Sequence, residues 1–336
     1  MEDSLSDNNK MIISRTPLRA SFCGGGTDID SFSYNESGGG MVVSAAVKNY
    51  IHVTVNKRFD DKIRVSYSKL ELVDNFEDLE HDLVREAMRI TGIISGVEIT
   101  TIADIPSKGT GLGSSSSVTV GLLNALHTFA GHNVSAKKLA EEACIIELDI
   151  LKQPIGRQDQ YAAAYGGLNS ISFSSKGNVV SPLDVSEEII DRIQDEFTLV
   201  FTGISRSASK ILGESPTNYD DKIDRLRKIR SHANKSMKML EIGDLKSLGM
   251  LLSEAWNQKR GISSSVSNDE LDLLYSKIIE LGASGAKLLG AGGGGFFMVH
   301  GNSEFRDIME VALPSNKIIP LILDFDGSTI IYNSYS

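Results

Sequence analysis

The sequence predicts an α+β fold in two parts. Three observations carry that expectation. Strand-like and helix-like segments come in blocks, not in the strict alternation that a doubly wound parallel sheet requires. The 336 residues, 41% of them hydrophobic, suffice for one large domain or two ordinary ones. Near Phe197 the balance shifts from strands to helices, which sets the division at residues 11–196 and 197–336.

The elements follow in order. "MIISRTPLRASFC" reads as a strand bent at Pro17 and runs into the glycine turn "GGGTDIDSF". "MVVSAAVKNYIHVTVNKR" gives one or two strands and "KIRVSYS" another. "DLEHDLVREAMRITG" has helical spacing and stops at Gly92, and "GVEITTIADI" is a strand. The apolar run after Ser117 predicts a mostly buried helix, and "SAKKLAEEACIIELDIL" a second one with Ser135 as its N-cap. That helix presents Leu139, Ala143, Ile146 and Ile150 on its apolar face. "PIGRQDQYAAAYGG" starts as a loop and becomes a short helix ending at Gly166. "LNSISF", "NVVSPLDV" and "EFTLVFTGI" are strands. Helices are expected at about 207–212, 219–242, 245–260 and 268–281. "AKLLGAGGGGFFMVH" is strand–turn–strand, and two further strands close the chain.

Charge narrows the function. Lys plus Arg is 34 against 44 for Asp plus Glu, a net charge of −10, which excludes non-specific nucleic-acid and membrane-surface binding. A local basic pocket for a phosphorylated small molecule stays open. The opening "MEDSLSDNNK" lacks an apolar signal region, and no stretch reaches the length of a membrane span. Cys23 and Cys144 stand in apolar runs without metal spacing and read as buried thiols of a reducing compartment. A cytoplasmic protein is expected.

Three segments are rich in glycine: 24–27, 109–117 and 290–295. Glycine admits positive φ and close backbone approach, so each can bring main-chain N–H groups to a ligand. "IPSKGTGLGSSSSVTVGLLNAL" has no Gly-Lys-Ser/Thr and is no Walker loop, and Ser114 breaks the Rossmann fingerprint. What it offers is a flexible loop entering a helix N-terminus, an anion site by its free N–H groups and dipole. "GAGGGG" fits G-x-G-x-x-G in letters only, because the strand-like "FFMVH" follows where a helix is needed. Among the carboxylates, Asp159 sits between two glutamines beside Arg157, and Glu147 lies near an apolar helix face where it needs a partner such as a divalent cation. Arg19 stands in a strand-like run, and Asp28 follows the first glycines, placed either for an Asx turn or for sugar hydroxyls.

Together, "RTPLRASFCGGGTDI", "PSKGTGLGSSSS" and "KLLGAGGGGFF" resemble the three motifs of the GHMP kinases, in the family's order and across nearly the whole chain. Within that family, "IGRQDQYAAAYGG" and "TGISRSAS" are most similar to the kinases of D-glycero-D-manno-heptose 7-phosphate. The resemblance implies an S5-like N-terminal and a ferredoxin-like C-terminal domain. It implies transfer of phosphate from ATP, with Mg2+, to the anomeric hydroxyl of the heptose 7-phosphate, a step toward nucleotide-activated heptose and surface polysaccharide. By position, Asp159 matches the catalytic base and Arg19 its partner. Ser115 and Glu147 match the metal ligands, with Asp149 as the alternative to Glu147. Lys108, Gly109, Thr110, Gly111, Gly113, Ser114, Ser115 and Ser116 match the phosphate loop. Asp28 matches a sugar-binding aspartate, and Arg15, Gly24, Gly25, Gly26, Thr27, Arg157, Gly293 and Gly294 are expected around the sugar, with Arg206 and Lys210 as further cations for its phosphate. A homodimer stays open. The competing readings are a kinase of a free sugar such as L-fucose, a non-catalytic galactokinase-like sugar sensor, and a decarboxylase of the mevalonate branch.

Overall fold

β1 (Met11–Cys23) and the 18-residue β2 (Gly40–Lys57) form the antiparallel pair on which the first sheet is built. The computed structural model describes residues 10–106, 109–205, 219–302 and 304–334, without the side chain of Tyr219. β2 serves two neighbours on its other edge. Its second half, Ile51–Lys57, pairs with β5 (Val97–Ala103), and its first half, Gly40–Ala45, with β6 (Leu168–Ser174). The switch has a local cause. The β1–β2 register steps from Pro17↔Tyr50 to Leu18↔Val47, so Lys48 and Asn49 oppose nothing on β1. Pro17, which has no N–H for the ladder, marks that step.

β3 (Ile63–Ser66) lies parallel to β5 and carries β4 (Leu70–Val73) on its outer edge, while β7 (Gly177–Pro182) pairs with β6. The second sheet is antiparallel throughout, in the order β11 (Ile318–Pro320), β8 (Phe197–Phe201), β10 (Phe296–His300), β9 (Gly285–Leu288). The chain then returns. β12 (Thr329–Asn333) pairs with β1, Arg15 opposite Thr329 and Ile12 opposite Asn333. The C-terminal strand therefore crosses the division drawn at residue 197: composition places it in the second part, the ladder in the first sheet. There it covers what would otherwise be an open edge of β1.

The helices are α1 (Asp30–Ser33), α2 (Asp82–Thr91), α3 (Ser114–Phe129), α4 (Ala136–Cys144), α5 (Gln158–Tyr165), α6 (Glu187–Glu196), α7 (Tyr219–Ile242), α8 (Leu245–Arg260), α9 (Asp269–Glu280) and α10 (Phe305–Ala312). The helix expected at 207–212 lies outside the described residues. α3 is buried on almost every side and lies against β1, β2 and α5. Phe22 of β1 meets Phe197 of β8 edge-on at 5.4 Å and joins the two sheets through one apolar core. A second core gathers around Trp256 of α8, whose ring meets Phe297 at 5.9 Å. Cys23 and Cys144 are buried free thiols, raised by that burial to about 11 and above the ordinary range respectively. Among the described residues no helix is long and apolar enough to cross a membrane.

Candidate active site

Gly109, Gly111 and Gly113 hold φ of +74°, +75° and +75°, a left-handed conformation at every second residue that leads into α3. No side chain caps α3, so its first-turn N–H groups are free for a ligand. The loop is clamped by the third glycine segment. A Cβ on Gly111 would lie 2.7 Å from the Leu289 carbonyl, and one on Gly290 would lie 2.5 Å from Gly111 Cα. Phe296 N donates to Thr110 O at 3.1 Å, closing the contact from the strand side. The two glycine runs therefore serve each other: backbone packs on backbone where side chains have no room. The third run is the β9–β10 turn, as its sequence predicts.

Arg19 and Asp159 meet beside this loop. Arg19 Nε and Nη2 donate to the two carboxylate oxygens at 2.8 and 2.9 Å, and Nη1 donates to the Gly111 carbonyl. The Arg19 side chain is 4% exposed and that of Asp159 22%, so the carboxylate is the member that faces the cleft. Asp159 stands in the first turn of α5, where the helix dipole favours negative charge. Gly113 is needed here too, since its Cβ would approach Asp159 Oδ2 to 3.2 Å.

Glu147 is fully buried and gathers three neutral donors: Ser115 Oγ at 3.2 Å, Ser116 Oγ at 2.8 Å and Gln160 Nε2 at 2.5 Å. Burial raises its carboxyl to about 7 against the lowering effect of these hydrogen bonds. Asp149 is exposed and away from the cleft lining. The backbone explains the difference. Ile145–Ile150 is wound as a π-helix, with Leu151 N bonded to Ile146 O. This corrects the expected regular helix: the wider turn brings Glu147 inward and leaves Ile150 43% exposed, off the apolar face where α-periodicity places it.

Asp28 is buried and accepts from Gly26 N at 2.8 Å, Gln158 N at 3.1 Å and Gln158 Nε2 at 3.2 Å. Burial raises its pKa, opposed by the Gln158 amide, with Asp159 adding to the rise. Gly156 makes room for it, because a Cβ there would fall 1.9 Å from Asp28 Oδ2. Gly25, Gly26 and Gly294 line the same cleft.

Other expected site residues serve the scaffold. Arg157 is spent on a bidentate pair with Asp30 at 2.6 and 2.7 Å, over the Tyr34 ring. Arg15 lies over Tyr50 and pairs with Asp326 at 3.4 Å, next to β12 and off the cleft. Thr27 Oγ1 sits 2.8 and 3.0 Å from the Gly24 and Met41 carbonyls and shapes the turn, while Gly24 packs on Met41. Gly293 gives its N–H to Val266 O at 2.9 Å. Lys108, Arg206 and Lys210 lie outside the described residues.

Arg19, Asp28, Asp159 and the Gly109–Ser116 loop border a cleft of about 1240 Å³ between the first sheet with α3 and α5 on one side and α7, α8 and the β9–β10 turn on the other. Toward β3–β5 it is walled by Tyr67, His81, Ile102, Ile105 and Pro106, with the Tyr67 and His81 rings edge-to-face at 4.5 Å. Toward α7 it is walled by Ile29, Lys222, Leu226 and Ile262. Sequence reasoning missed both ends, since they assemble from short segments with no motif. It also missed Lys259 in the cleft wall and Lys287 behind it. Lys287 is buried, donates to the Ser21 and Phe22 carbonyls at 2.6 and 2.7 Å, and is lowered to about 8 by burial.

A phosphate-type loop at a helix end, set against a clamped carboxylate in a cleft between two sheets, defines a small-molecule phosphotransferase. The chain belongs to the GHMP kinase family. The family's GHMP kinases N terminal domain matches residues 81–167, and its GHMP kinases C terminal domain matches residues 236–307. The D-glycero-alpha-D-manno-heptose 7-phosphate kinase of Campylobacter jejuni is 33% identical over 305 residues, which cover 85% of this chain and 88% of that one. A solved D-glycero-D-manno-heptose 1-phosphate kinase from Bacteroides thetaiotaomicron has a TM-score of 0.79 at 24% identity, over 96% of this chain and 99% of its own. Galactokinase of Lactococcus lactis, solved with galactose, has a TM-score of 0.74 at 18% identity, over 95% of each chain. These two show the fold.

Proposed function

We propose that the protein transfers the γ-phosphoryl group of ATP to the anomeric hydroxyl of a D-glycero-D-manno-heptose 7-phosphate, giving the 1,7-bisphosphate. The observation that carries this reading is the Arg19–Asp159 pair beside the open N-terminus of α3, joined to the likeness to the Campylobacter enzyme. The anomeric oxygen forms a bond to the γ-phosphorus as the bond from that phosphorus to the β,γ-bridging oxygen breaks. ADP leaves, and the hydroxyl proton passes to the Asp159 carboxylate. Arg19 holds and orients the Asp159 carboxylate by its two hydrogen bonds, and the amides of the Gly109–Ser116 loop hold phosphate oxygens. Tyr67 and His81 supply a wall for the base.

The residues present suit Mg2+. Glu147 and the Ser115 hydroxyl form a hard-oxygen set, and Glu147 is a buried carboxylate whose three partners are all neutral. Bound there, the ion would neutralise phosphate charge. With Arg157 and Arg15 committed elsewhere, the sugar's own phosphate falls to Lys222, which lines the cleft one helical turn from Leu226. The chemistry suits a cytoplasmic enzyme.

The test is coupled ADP release with Mg·ATP and a panel of D-glycero-D-manno-heptose 7-phosphate, sedoheptulose 7-phosphate, mannose, L-fucose and galactose. Turnover confined to the heptose phosphate, with phosphorus NMR placing the new group on C1, is the expected result. Turnover on a free sugar alone removes the heptose phosphate, and no turnover on any sugar overturns the kinase reading.

A further inference from the structure

Lys259 stands in the last turn of α8 at the cleft wall, and its ammonium donates to the Gly290 carbonyl. It lies in the wall across from Arg19, Asp28 and Asp159, and all four border the same space. It forms no ion pair among the described residues. Its neighbour Arg260 does, with Asp272 at 2.9 Å. Lys287, also interior, is satisfied by two carbonyls and sits away from the cleft. A half-buried ammonium with one neutral acceptor is poorly compensated unless an anion arrives. The acceptor it does have belongs to the glycine turn that clamps the phosphate loop, since Gly290 packs on Gly111.

We propose that Lys259 is a phosphoryl anchor: its ammonium reaches from the Gly290 carbonyl to an oxygen of the γ-phosphoryl group of the bound nucleoside triphosphate. This rests on the kinase reading above. Lys259 forms and breaks no covalent bond in the transfer. It adds, from the C-terminal wall, a positive charge to those that Arg19 and the α3 N-terminus supply from the other side, where charge spreads over the transferring group. Its contact with Gly290 couples arrival of the triphosphate to the position of the clamp.

The electrostatics of the wall agree. Burial, with Lys287 and Arg19 as like charges, lowers Lys259 to about 7, while Asp28 and Asp159 pull the other way. An arriving γ-phosphate opposes this lowering and favours the protonated amine.

Calorimetric titration of ATP and ADP into the full chain at pH 8, in two buffers of different ionisation enthalpy, tests this. In the native protein ATP binding takes up protons and ADP binding takes up fewer. Lys259→Met weakens ATP by about tenfold to 100-fold, leaves ADP within about threefold and abolishes the difference in proton uptake. Lys259→Arg keeps the preference for ATP. An unchanged ATP-to-ADP ratio in a K259M protein of native melting temperature overturns the proposal, as does equal loss of both nucleotides. Should K259M fail to fold, Lys259→Gln, whose amide still donates to the Gly290 carbonyl, is read in the same way, and an unchanged ATP-to-ADP ratio there overturns the proposal. No ATP binding by the native protein overturns the kinase reading, and this inference with it.

Discussion

Arg19 holds Asp159 by both carboxylate oxygens, at 2.8 and 2.9 Å, and ties the same guanidinium to the Gly111 carbonyl of the phosphate loop. One buried cation thus sets the position of the base relative to the loop. The arginine is planar and presents a fork, which a lysine cannot imitate.

Asp159→Asn is expected to lower kcat by about 10²–10⁴ while ATP affinity stays within about threefold. Removing the proton acceptor acts on the transition state, and the amide still hydrogen-bonds Arg19. Single-turnover kinetics with nucleotide titration check this, and a large loss of ATP affinity with turnover intact would sink the assigned role. Arg19→Lys should lower kcat as well, and the two losses should not add, because each residue works through the other.

Glu147 sets a pH dependence whose sign follows from its burial. Its carboxyl is raised to about 7 from an ordinary 4.5, so the native state binds more protons than the unfolded chain between those values. The stabilising contribution is complete below about pH 4.5 and is lost as pH rises to about 7. Without metal, the native protein should lose about 1–3 kcal/mol relative to Glu147→Gln across that window. Denaturant unfolding in chelator between pH 4.5 and 7.5 measures it. Mg2+ with nucleotide at pH 7.5 should raise the melting temperature of the native protein more than that of the variant. Parallel stability curves for the two proteins would refute the assignment.

Gly111→Ala tests the clamp. Its φ of +75° disfavours any side chain, and the new Cβ would stand 2.7 Å from the Leu289 carbonyl, a backbone atom that cannot swing aside. A loss of about 2 kcal/mol or more in unfolding free energy is expected, with weaker ATP binding in the protein that folds. Native stability and native nucleotide affinity together would show that the loop and the β9–β10 turn are not locked as described.

What the sequence makes legible here is what local chemistry dictates. The alternate glycines before "SSSSV", the strand-like "FFMVH" after "GAGGGG" and the Gly92 stop each follow from φ preferences and periodicity, and the structure has them. Glu147 is identifiable as a carboxylate beside an apolar helix face, whereas Asp159 reads as a polar-loop aspartate whose role only the family resemblance suggests. The π-turn is not, because "CIIELDI" has no signature that separates it from a regular helix, and only packing against Ser115, Ser116 and Gln160 shows that Glu147 points inward. Arg15 and Arg19 look alike in "RTPLR", yet one pairs with Asp326 near the chain's end and the other with Asp159. Both partners are more than a hundred residues away, beyond any local pattern. Lys259 and Lys222 lie on ordinary helices whose role comes from the wall they happen to form.

The last prediction separates two cations that composition treats as equal. Arg157 is 13% exposed, locked to Asp30 by two hydrogen bonds and set over the Tyr34 ring. Pulling it away toward a substrate phosphate would strand Asp30 and leave α1 untied from the segment that opens α5. Lys222 has no ion pair among the described residues and faces the cleft. Lys222→Ala should therefore raise KM for the sugar phosphate by about tenfold with kcat little changed, since it removes a charge-assisted contact remote from the reacting atoms. Arg157→Ala should instead cost about 1–3 kcal/mol of stability, with KM moving no more than threefold in the protein that remains folded. Asp30→Asn should reproduce the Arg157 effect and not the Lys222 effect, because it breaks the same pair from the other side. Steady-state kinetics and denaturant unfolding on the three variants decide the matter. A large KM increase in Arg157→Ala with Lys222→Ala unaffected would move the phosphate end of the cleft from α7 to the Arg157 loop.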